Sequence, residues 1–82
     1  MLELEVELTA AQVLAECRRR GLVVGSERVL RGLGGGRHWH LHMPGSAGTL
    51  DLSEASSTVW LKAHPLRDGG WASALAREIA KR

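Results

Sequence analysis

Leu2, Leu4, Val6 and Leu8 alternate with Glu3, Glu5 and Glu7, the period of two that a strand imposes on its faces. Three glutamates on one side suit an exposed or edge strand, where charge discourages unwanted pairing. The alternative is a frayed lead-in to the following helix. Thr9-Ala10-Ala11-Gln12 has the spacing of a capping box, and Ala10, Val13, Leu14 and Cys17 then recur at helical spacing. Gly21 follows Arg18-Arg19-Arg20 as a stop signal, so a helix is predicted over 10–20. Its terminal arginines complement the negative end of the helix dipole.

Residues 22–33 are rich in Val and Leu, but Gly25 and Ser26 interrupt them. The pattern predicts either one bent or bulged strand or two short pieces. Gly34-Gly35-Gly36 reads as a turn. Stretches 37–43, 49–54 and 58–64 each alternate cleanly, separated by Pro44–Gly48 and by Ala55-Ser56-Ser57. Pro65, Gly69 and Gly70 mark a loop with Asp68 near a helix start. Trp71, Ala72, Leu75, Ala76 and Ile79 form the stripe of a final helix reaching about Ala80.

The order (β)-α-β-β-β-β-α predicts a single α+β domain over 1–82. Its antiparallel sheet would hold three to five strands, with two helices packed on one face and a candidate extra N-terminal strand. Register follows if apolar faces coincide: Leu52 opposite Val59, Leu50 opposite Leu61, Met43 opposite Leu50 and Leu41 opposite Leu52. That arrangement would bury Trp39, Leu41, Met43, Leu50, Leu52, Val59, Leu61 and Ala63. The other face would hold His38, His40, His42, Asp51, Ser53, Trp60, Lys62 and His64. His42 would then face Asp51, His40 would face Ser53, and His64 would lie about 13 Å along the sheet from His42.

Composition changes this picture in two respects. Three Trp with no Phe or Tyr leave a core of Leu, Val and Ala. A core that thin in 82 residues makes a homodimer a reasonable way to bury more surface. The charged residues sum to only +2, yet nine of the eleven cations are Arg, the residue suited to phosphate and carboxylate recognition. A lone Cys17 makes no internal disulfide and reads as a core residue. The start lacks signal-peptide features, and no apolar run approaches the roughly 20 residues that span a bilayer. The expectation is a cytoplasmic protein without a membrane partner.

Three chemistries fit the histidine face. His38, His42 and Asp51 are candidates for general acid–base work, since a carboxylate fixes an imidazole's tautomer and raises its affinity for a proton. Against that stands an ordinary cross-strand polar pair. Arg18, Arg19, Arg20 and Arg37, with Arg28 and Arg31, offer phosphate contacts; Lys62 adds another, and Trp60 a stacking platform for RNA. Against that, the arginines read as a helix cap and Trp60 as cover for the sheet or a dimer contact. His-x-His-x-His could also converge on a metal, with Asp51 as ligand or orienting group. A flat row is not a closed tetrahedral site, so no metal ligands are assigned and no cofactor is expected. The triple glycine lacks the Lys-Ser/Thr of a phosphate loop.

The order of features resembles the HicA family of small toxins, ribonucleases of toxin–antitoxin systems with a double-stranded-RNA-binding-like fold. The residues concerned are Arg19-Arg20-Gly21-Leu22-Val23 at the end of the first helix, then Gly36-Arg37-His38 and a β pattern running to Pro44-Gly45. A later strand ending in His64 and a closing helix with Leu75 and Ile79 echo the same layout. The resemblance implies His38 as the catalytic histidine, RNA as substrate and an antitoxin-like protein as partner. Arg37 stands where the family has a small residue, 49–54 reads as an added strand, and Leu61-Lys62-Ala63-His64 lacks the family's Val-Pro-x-His ending. The leading expectation is an RNA-binding module or ribonuclease; the runner-up is a non-enzymatic interaction or dimerisation domain, and the third is a metal-binding protein.

Overall fold

The computed structural model describes residues 2–25, 28–30, 36–64 and 70–82, with the side chains of 28–30 left aside. Arg31, Gly34, Gly35, the 65–69 loop with Asp68 and the side chain of Arg28 lie outside the described residues.

Thr9 caps α1 (Ala10–Arg19) with the reciprocal bonds its spacing predicts. The Gln12 N–H donates to Thr9 Oγ1 at 3.1 Å, and the Thr9 N–H donates to Gln12 Oε1 at 2.9 Å. Gly21, at φ +88°, takes the left-handed conformation that ends the helix, and the Leu22 N–H returns to the Cys17 carbonyl. Ala10, Val13, Leu14 and Cys17 are its buried stripe. The second helix, α2 (Trp71–Ala80), buries Ala72, Leu75, Ala76 and Ile79.

The strands are β1 (Leu2–Val6), β2 (Val23–Val24), β3 (Arg28–Leu30), β4 (Gly36–His42), β5 (Leu50–Ala55) and β6 (Thr58–Ala63). They form one antiparallel sheet in the order β1-β6-β5-β4-β2, with β3 also pairing β4. The N-terminal segment is thus a sheet strand, and it sits at an edge as its glutamates suggested. β2 and β3 lie along the same edge of β4. Val24 is opposite Leu41 and Arg28 opposite His38, so four steps along the chain match three along β4. β2 and β3 are separate strands, the two-short-pieces form of the expectation for 22–33. Just past β2, Gly25 runs close against β4: its N–H donates to the His40 carbonyl at 2.8 Å, and a Cβ there would lie 3.0 Å from that oxygen.

Both helices pack on one side of the sheet, where Trp39, Leu41, Leu50, Leu52, Val59, Leu61 and Ala63 join their stripes in a single core. The predicted face assignment therefore holds. The predicted register does not. Leu52 pairs with Leu61, Leu50 with Ala63, Leu41 with Leu50 and Trp39 with Leu52. Each hairpin has moved by two residues, which keeps every side chain on its face while changing every neighbour. The β5–β6 shift follows from the turn. Ala55 pairs with Thr58, so Ser56 and Ser57 alone make the connection, both at positive φ (50° and 66°). A two-residue turn with this handedness matches the twist of the flanking strands.

Candidate functional site on the open sheet face

No described helix covers the side of the sheet opposite the core. Two cross-strand rows organise it, because alternation on antiparallel strands puts directly opposed residues on one face. One row runs Glu3, Lys62, Asp51, His40; the next runs Glu5, Trp60, Ser53, His38. Asp51 thus faces His40 and not His42, the correction that the register imposes on the expected His42–Asp51 pair. His42 instead sits opposite Val23, whose side chain is the exposed large apolar group of this face. His64 follows Ala63, one residue past the row Leu41–Leu50–Ala63, and so stands level with His42 rather than far along the sheet. The two are separated by two strand spacings, about 10 Å.

His38, His40 and Asp51 form a compact group. His40 Nδ1 lies 2.7 Å from Asp51 Oδ1, and the Thr49 hydroxyl donates to the same oxygen at 3.2 Å. The Asp51 side chain is only 13% exposed against 41% for His40, so the carboxylate sits beneath the ring and holds it from below. His38 Nδ1 lies 2.7 Å from Ser53 Oγ, and Ser53 is almost fully buried. The two imidazoles meet edge to face, their centroids 4.6 Å apart. One ligand atom from each of His38, His40 and Asp51 lies within 4.8 Å of the other two. Two imidazoles and one carboxylate are donors of the kind that hold Zn²⁺ or a redox-active divalent ion.

Lys62 is opposite Asp51 and half-buried; Trp60 is opposite Ser53 and also half-buried. Both stand on the histidine face, as expected from sequence. Arg37 does not. Alternation puts it on the Trp39 side, where its guanidinium lies 5.3 Å from the Trp39 ring and bonds Glu54 at 2.6 Å. The Arg18–Arg20 run ends α1, on the far side of the sheet from His38. Arg19 and Arg20 both bond Glu16, and Arg20 crosses to Glu78 of α2 at 2.6 Å. Arg82 joins Glu16 at 3.1 Å. These bonds raise the Arg20 pKa still further above its ordinary value and lower that of Glu78. Arg20 therefore ties the two helices together while Arg19 is held within α1, and the structure does not bring them near the histidines.

Sequence reasoning put His40 and Ser53 on this face and His40 in the metal reading, but set His40 opposite Ser53 instead of Asp51 and did not single out Thr49. The Ser56-Ser57 pair signalled part of the register, since a two-residue hairpin turn there sets Leu52 against Leu61 and Asp51 against Lys62. The His40–Asp51 pair belongs to the separate β4–β5 hairpin, which that turn does not fix. Cys17 is fully buried, and burial pushes its thiol up to about 11, which leaves it inert beside this chemistry.

Comparisons with protein-family models, with curated proteins and with solved structures each returned no match. Among the described residues no helix is long and apolar enough to cross a membrane.

Proposed function

We propose that this domain binds one divalent transition metal on its open sheet face, through His38, His40 and Asp51. The observation that carries the reading is the convergence of their three ligand atoms within 4.8 Å. Imidazole donors favour Zn²⁺, Ni²⁺, Cu²⁺ or Fe²⁺ over Mg²⁺ and Ca²⁺, which prefer oxygen shells. The ligands rise from one flat surface, so a bound ion keeps open positions toward solvent, the pattern of a reactive site rather than a closed structural one. Thr49 supports Asp51 and Ser53 supports His38, the outer bonds that orient metal ligands. Such an ion would act as a Lewis acid or supply a bound water of lowered pKa.

Elemental analysis of protein prepared without a histidine tag tests this. Wild type is expected to retain, or to take up on dialysis, one equivalent of a transition metal, while His40→Ala retains none. A wild-type protein that stays metal-free after exposure to Zn²⁺, Ni²⁺, Cu²⁺ and Fe²⁺ would defeat the proposal.

A second reading is metal-free cleavage of RNA. It is supported by the His40–Asp51 pair standing on one face with His38, Lys62 and Trp60, which offer a second proton-transfer group, a phosphate contact and a base-stacking surface. Here EDTA-treated protein cleaves single-stranded RNA and His38→Ala abolishes the cleavage. RNA binding should weaken steeply with added salt. Cleavage that needs metal, or none at all, removes this reading.

A further inference from the structure

The row that holds Asp51 continues to Lys62 and then to Glu3. Lys62 is half-buried on the open face, directly opposite Asp51, yet among the described residues its ammonium enters no side-chain hydrogen bond or ion pair. Glu3, on its other side, is exposed at the edge strand and likewise pairs with no described residue. Lys62 is thus set in one cross-strand row between two carboxylates, with its ammonium bonded to neither.

Charge and geometry say what that placement allows. Once Asp51 serves a metal, its single negative charge is taken by a divalent ion, and Lys62 gains a cationic neighbour. The local balance becomes positive. The ion's open positions and the lysine head both project from the same side of the sheet, because Asp51 and Lys62 are opposed residues of one row. We infer that the metal and Lys62 together bind a small oxyanion, a carboxylate or phosphate group, with one oxygen on the ion and another on the ammonium. This rests on the metal reading above and assigns the ligand class of that site. Lys62 binds here as a point charge, as lysine does toward phosphate.

The test uses the full chain loaded with Co²⁺, whose visible absorption reports both metal uptake and ligand exchange. Acetate and inorganic phosphate are titrated separately into wild type, Lys62→Gln and Lys62→Arg. At least one anion is expected to shift the wild-type spectrum saturably and to bind Lys62→Gln about tenfold more weakly. Lys62→Arg should keep most of the affinity. Which anion binds more tightly separates a carboxylate site from a phosphate site. If all three proteins take up cobalt but neither anion binds, or binding ignores Lys62→Gln, the inference is overturned and the metal reading stands. Absence of cobalt bands before any anion is added overturns the metal reading and this inference with it.

Discussion

Glu16 does for the two helices what Asp51 does for His40: one carboxylate fixes several partners in place. Hydrogen bonds from Arg19 and then Arg20 hold its pKa down from the ordinary 4.5 to about 2. The folded state therefore binds this proton less readily than the unfolded chain. Its stabilisation is complete above about 4.5 and drains away as pH falls toward about 2. Glu16→Gln should lower the melting temperature at neutral pH and flatten its decline across that acid window. Parallel declines in the two proteins would contradict this role. The triple arginine was legible as a helix terminus, but its bonds to Glu16 and Glu78 were not, since Glu78 lies 58 residues away and only packing brings it to Arg20. Cys17 was fully legible, because helical spacing alone puts it on the buried stripe of α1.

At the scale of elements, alternation revealed which face each strand buries and missed which residues oppose each other. A slip of one residue would have inverted the faces and been visible; the slip of two was silent. That silence cost the candidate site its central pair, for it moved Asp51 from His42 to His40. The break after Val24 was legible as an interruption, though not the close approach of Gly25 to the His40 carbonyl, where a Cβ would lie 3.0 Å from the oxygen. The β5–β6 turn carries its own test. Ser56 and Ser57 both hold positive φ, which costs an ordinary L-residue roughly 1–2 kcal/mol, while Asn-Gly adopts this turn readily. The double substitution Ser56→Asn, Ser57→Gly should stabilise the protein by about 1 kcal/mol in denaturant titration. A loss of stability would mean the turn is built otherwise.

The whole molecule divides its labour between two sides of one sheet. One side, with both helices, carries the core that folds the chain, and Leu52 and Leu61 meet at its centre fully buried. Leu52→Ala should cost about 2–5 kcal/mol in unfolding free energy. The other side is left to polar groups, and there the chain gathers His38, His40 and Asp51 with Lys62 alongside. The α+β class and this two-sidedness were readable from hydropathy alone. The chemistry was not, because it depends on the register between β4 and β5, which hydropathy leaves free by steps of two. Zinc titration followed by calorimetry examines that chemistry most directly, with wild type, His40→Ala and His42→Ala compared under one buffer. The account predicts one zinc per chain in wild type, unchanged binding in His42→Ala, and a loss of about a hundredfold or more in His40→Ala. No binding by wild type, or a loss in His42→Ala equal to that in His40→Ala, would contradict it.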